Sequence, residues 1–247
     1  YGMPVFPHAS GFVGLLWVFH CSDSGPLRSF NQFQGPIDVQ LAYSYDGRHF
    51  FRGMREPFIP VNAPGEPGCS VIQSSSLVET DDEIRIYSGT GKIPHGMSRM
   101  TKDGRTRELF SITLHTLRKD GFMFLESEGD WGEFLSKPLT LFDEKLTINA
   151  QAKYGEIRFQ LTDMESRPVE GFTFEDSITL KEADSLSHHV AWRKGNLRNV
   201  LNKVVRLEVQ LRNAQLYAFH GNYHFLDAQD RWMLDDGKPI DPTLFNF

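Results

Sequence analysis

The residues of this chain best suited to chemistry are carboxylates at the ends of short apolar strands. Glu66 lies in Pro64-Gly65-Glu66-Pro67-Gly68, just ahead of a segment that reads as an innermost strand. Glycine and proline there hold an irregular backbone and let a ligand come close. Asp38 opens another strand, and Asp23 belongs to the long loop from Cys21 to Gly35. Two carboxyl groups can divide one task, one staying protonated as an acid while the other stays ionised. Glycosidic bonds are hydrolysed in this way, with the two groups about 5 Å apart for retention and wider apart for inversion. Glu66 and Asp38 are therefore the expected catalytic pair. Asp23, His95 and Gln73 are the expected substrate-binding groups. His95 follows the glycine-rich stretch Gly89-Thr90-Gly91, and Gln73 lies on an expected innermost strand. Each has a plainer reading beside the chemical one. Glu66, Asp23 and His95 would be solvated loop residues, Asp38 a turn or cap aspartate, and Gln73 a satisfied polar residue.

Other chemistries find less support. His188-His189 suggests a metal at first sight, but adjacent strand residues point to opposite faces and do not readily chelate one ion. No metal site is expected. Phosphate-binding glycine loops are absent, as is the Gly-x-Ser-x-Gly of serine hydrolases. No cofactor is expected. Cys21 and Cys69 make no disulfide framework, although both fall near strand ends where one bridge could form.

The elements that must hold these groups read as β structure, and they repeat. Gly14 to His20 is apolar and is followed, after a polar loop, by Asp38 to Tyr45, the turn Asp46-Gly47 and His49 to Arg52. The same order recurs as Glu83 to Ser88, Leu109 to Leu117, Asp120-Gly121 and Phe122 to Glu126. With Met3 to Phe6 and Ser70 to Ser76 added, each unit has four antiparallel strands. The two Asp-Gly turns lie about 70 residues apart, a spacing that suits a large β-propeller blade. Their aspartate and glycine supply the positive φ of tight hairpins. His20, Trp17 and Tyr87 are expected to pack in or at the edge of the blade core. Two blades do not close a propeller, so either further blades precede them or the open edges invite association.

The pattern changes near Glu128-Gly129-Asp130-Trp131-Gly132. Seven short strands follow, several with strict alternation, as in Val205-Arg206-Leu207-Glu208-Val209-Gln210-Leu211. They imply a β-sandwich. The expected organisation is an all-β chain: a partial β-propeller of two four-stranded blades over 1–130, then a β-sandwich over 131–247. Leu197 to Leu201 is one short helical turn, and the residues after Leu226 form a loosely packed tail.

Composition bounds the partners. With a net charge of -6, nucleic acid and anionic membranes are disfavoured. No segment approaches the ~20 apolar residues of a membrane-spanning helix. Compartment is not legible.

Two stretches resemble a known family. Ser187 to Gly195 and Lys203 to Phe219 are similar to the closing β-sandwich of propeller glycosidases, as in glycoside hydrolase families 32 and 43. Gly2 to Phe6, Ile37 to Ala42 and Leu117 to Phe122 are similar to the last blades of propeller proteins of that type. The resemblance implies the C-terminal part of a five-bladed propeller hydrolase acting on an oligo- or polysaccharide. The family 32 signatures Asn-Asp-Pro-Asn, Arg-Asp-Pro and Glu-Cys do not occur here, and Arg55-Glu56-Pro57 is only superficially like the second. The resemblance therefore implies a nucleophile upstream of Tyr1. The competing expectation is a non-catalytic glycan-binding or protein-interaction scaffold.

Overall fold

A computed structural model describes residues 1–21, 33–96 and 109–240. The chain is all-β and divides into two compact units, Tyr1–Phe122 and Met123–Phe247.

The first unit is built from two meanders of propeller-blade type. The first contains β1 (Val5–His8), β2 (Gly11–Phe19), β3 (Ile37–Ser44) and β4 (Phe51–Arg52). The second contains β5 (Val71–Glu79), β6 (Glu83–Gly91) and β7 (Phe110–Arg118). They join in one sheet of order β1-β2-β3-β5-β6-β7, with β4 on β3. The junction is a single parallel bridge, Ile37 to Val71. Alternation sends Val13 and Leu15 of β2 to one face, and they meet Val39, Ile72, Ile84 and Ile86 in a shared core. Trp17 packs against this core, and its indole N–H donates to the Ser74 carbonyl at 2.9 Å, tying β2 to β5. Ser74 and Ser88 are fully buried but satisfy one another across β5 and β6 at 2.8 Å.

Both Asp-Gly turns form, by different means. At the first, Gly47 takes φ +70°. Asp46 accepts from the backbone N–H groups of Arg48 and His49, both at 2.8 Å. Those bonds, with one to the His49 ring, hold its carboxyl far below the ordinary carboxylate range. At the second it is Asp120 that takes the positive φ, +58°.

The second meander departs from expectation. Among the described residues it has three strands, and the predicted fourth, Phe122 to Glu126, is divided between the units. Phe122 closes the first core. Three residues on, β8 (Leu125–Ser127) pairs with β13 of the second unit, Glu126 opposite Gln215. The division at Phe122 thus falls ahead of the composition change near residue 130. Tyr87 also differs: it lies on the outer face opposite Leu114 and is 37% exposed.

The second unit folds a six-stranded sheet on itself. Its elements are β8, β9 (Gly132–Leu135), β10 (Leu139–Thr162), β11 (Leu180–His189), β12 (Val204–Arg212) and β13 (Ala214–Phe225). Two expected strands, Lys145 to Ala150 and Gly155 to Thr162, are merged in the 24-residue β10, and a third, Phe134 to Leu141, is divided between β9 and the start of β10. Its first part pairs with β13, from Leu139 opposite Phe225 to Gln151 opposite Gln215. Its last part pairs with β12, from Glu156 opposite Arg212 to Thr162 opposite Arg206. Between them the register to β11 slips from Ala152 to Glu156, so the strand turns over without ending. Gly155 permits the crossing, since any Cβ there would collide with the carbonyl oxygens of Arg212 and Asn213.

Both halves of β10 send side chains into one sandwich core, Ile148 and Ala150 from the first and Ile157, Phe159 and Leu161 from the second. Trp192 completes it, stacking edge-on to Phe172 at 5.1 Å and donating its indole N–H to the Phe159 carbonyl. The short turn Leu197–Val200 is a 3₁₀ turn capped by Asn196.

Nor is the C-terminal stretch wholly a tail: Ala228–Asp235 forms α1. Asp227 accepts from the N–H groups of Gln229 and Asp230, and Asp230 accepts from Asp227 N–H, a reciprocal cap. Asp230 is 1% exposed and also bonds His224 at 2.8 Å.

Candidate functional site

The pairing of the first unit brings several ends together. Phe19 lies opposite Ile37, Ile37 opposite Val71, and Val71 opposite Gly91. The end of β2, the starts of β3 and β5 and the end of β6 therefore share one edge of the sheet. Asp38 and Gln73 lie one and two residues into their strands. His95 is held to the same edge by reciprocal backbone bonds with Gly35, at 3.0 and 3.3 Å.

Asp38 is the buried member. Its side chain is 9% exposed, and Oδ2 lies 2.7 Å from His20 Nε2. The partner oxygen Oδ1 is buried with no hydrogen-bond partner among the described residues. An ionised carboxylate has about four acceptor positions, so this one keeps unused capacity in a place that water does not freely reach. The plainer reading of Asp38 as a turn or cap residue does not describe it. Asp38 pairs with Val18 across β2 and β3, and His20, two residues on, shares that face. The His20 ring is half exposed, 48%, so the pair joins a buried acceptor to an accessible imidazole. Sequence reasoning placed His20 at the core edge and missed this role. The signal available was the register: once Val18 faces Asp38, His20 has to lie beside it.

His95 occupies the opposite face of β2. Its ring packs on Tyr1 at 4.6 Å and against Phe19 at 5.2 Å. Its Nδ1 is buried without a partner among the described residues. Gln73 lies opposite Gly89, on the face of β5 away from Ile72 and Ser74. Glu66 is exposed, in a turn fixed by Glu66 N–H to the Ala63 carbonyl at 3.1 Å and Cys69 N–H to the Glu66 carbonyl at 3.2 Å. Gly65 and Gly68 flank it with φ of +94° and +77°. Asp23 lies outside the described residues. The fold thus gathers Asp38, Gln73, His95 and the Glu66 turn at one end of the strands, on different faces, and adds His20 to Asp38.

No group of three or more His, Cys, Asp or Glu side chains among the described residues is placed to hold a metal ion. Cys21 and Cys69 are not joined in a disulfide. Among the described residues, no helix is long and apolar enough to cross a membrane.

The architecture is that of an all-β protein with propeller-type blades and a sandwich. Beyond it, comparison with protein families, curated proteins and solved structures finds no match for this chain.

Proposed function

We propose that this chain is part of a carbohydrate-active protein, a glycoside hydrolase of propeller-and-sandwich type, with the sugar held at the strand ends around Asp38. The observation that carries the reading is the buried Asp38 carboxylate, with one oxygen bonded to His20 and the other without a partner among the described residues. A sugar hydroxyl, rich in O–H donors, suits such an acceptor, and a buried bond to a charged group is worth more than an exposed one. Asp38 accepts from a substrate O–H, and His20 holds the carboxyl in position. Glu66, in a solvent-facing turn before β5, is the second carboxyl of the proposed pair. His95 and Gln73 bind substrate from the neighbouring strand ends.

A second reading, a non-catalytic glycan-binding scaffold, is favoured by one observation: the structure pairs Asp38 with an imidazole and leaves Glu66 exposed. The two are separated by incubating the chain with soluble polysaccharides and following reducing ends and binding together. Hydrolysis abolished by Asp38→Asn, and cut by orders of magnitude by Glu66→Gln with the fold kept, supports the hydrolase. Binding lost on Asp38→Asn with no turnover by the native chain selects the scaffold. Binding and turnover unchanged by Asp38→Asn would remove this end of the sheet from the function.

A further inference from the structure

The second unit has a surface feature of its own. Where β10 turns over, Tyr154 is 80% exposed, more than any other large apolar side chain among the described residues. Two basins of about 210 and 200 Å³ flank it, and both are bordered by Tyr154 and Asn213.

The walls of the basins are ordered. In the first, Glu126 accepts from the Gln215 amide at 2.7 Å, and Gln215 accepts from the Tyr217 hydroxyl at 2.5 Å. Gln151 donates to Asp184 at 3.3 Å. In the second, Glu156 is ion-paired with Arg212 at 2.6 Å, and the Arg212 guanidinium lies 4.8 Å from the Trp131 ring. Tyr154 itself has the Lys153 ammonium 5.6 Å from its ring centre. Four carboxylates and three cations border the two basins together, so their charges nearly cancel.

That combination defines a ligand class. Near-balanced charge gives no strong field to gather an anion or a cation. Amides and carboxylates held by existing bonds can exchange donors and acceptors with hydroxyl groups at small ordering cost. An aromatic ring standing between two polar basins offers an apolar plate to the C–H face of a sugar ring. We propose that Tyr154 and its two flanking basins form a binding site for a neutral oligosaccharide, spanning at least two sugar residues. This site lies wholly in the second unit and does not rest on the reading of Asp38.

The test is affinity electrophoresis of the full chain in native gels containing β-glucan, arabinoxylan or inulin. The native chain should be retarded by at least one of them. Tyr154→Ala should weaken the apparent affinity about tenfold. Because the residue is exposed, its circular dichroism should be unchanged. Trp232→Ala, at an exposed aromatic outside both basins, should leave the retardation as it is. No retardation of the native chain, or equal retardation of Tyr154→Ala, overturns the proposal. Retardation lost in Asp38→Asn but kept in Tyr154→Ala also overturns it, by moving the binding to the first unit.

Discussion

Asp38→Leu tests whether this carboxylate is kept for chemistry or for structure. The substitution removes the bond to His20, worth about 1.5–3 kcal/mol for a charged partner. The loss falls at the low end, because His20 is 48% exposed and recovers water. It also removes Oδ1, which is buried without a partner among the described residues; leaving such an oxygen unsatisfied costs about 1–3 kcal/mol. Apolar burial by leucine adds stability, and its extra bulk subtracts some. The sum is close to zero, within about 1 kcal/mol. Asp230→Leu is the control. Asp230 is 1% exposed and bonds both His224 and the Asp227 N–H. Removing it strands both partners and costs about 3–5 kcal/mol. The assay is differential scanning calorimetry, at on the order of 4 °C per kcal/mol. Asp38→Leu should move the first unit's transition by less than about 4 °C, and Asp230→Leu should lower the second's by more than about 12 °C. If Asp38→Leu lowers its own transition as far as the control does, Asp38 is a structural residue and the reasoning fails.

Gly155→Ala should cost more than about 3 kcal/mol in urea denaturation of the second unit, because a Cβ there meets two backbone carbonyls that a side-chain movement does not clear. Trp192→Phe keeps the ring against Phe172 but leaves the Phe159 carbonyl without its indole donor; a loss of about 2 kcal/mol is expected by the same method. Burial, and secondarily the charge of His189, lowers the pKa of His188 below the ordinary imidazole value of 6.5. The folded unit thus binds fewer protons than the unfolded chain between that lowered value and 6.5, and its stability falls as pH drops through this window. Melting of the second unit followed from pH 7.5 downward should show the decline, and His188→Gln should flatten it.

Much of the strand order was readable because side-chain period is local. Alternation in β6 and β12 gives the buried face directly, and the aspartate or glycine of each hairpin can take a positive φ. Strand ends were less legible. Phe142 to Glu144 and Gln151 to Tyr154 read as breaks between strands, yet β10 passes through both. Polar residues and glycine permit a bend as well as a turn, and only the neighbouring strands decide between them.

Composition and local pattern by themselves determined that this chain is all-β, that its two halves differ, that Asp38 opens a strand and that Gln73 lies on one. Tertiary structure alone decided the rest. It moved Leu125–Ser127 onto β13, whose residues follow almost ninety positions later in the sequence. It set His20 against Asp38 by the register of β2 and β3, and it placed His95 on the other face of that sheet. It lifted Tyr154 into solvent between two polar basins. Register explains the difference. A shift of one residue reverses every side chain of a strand, and the choice among shifts is made by long-range burial that no local window contains.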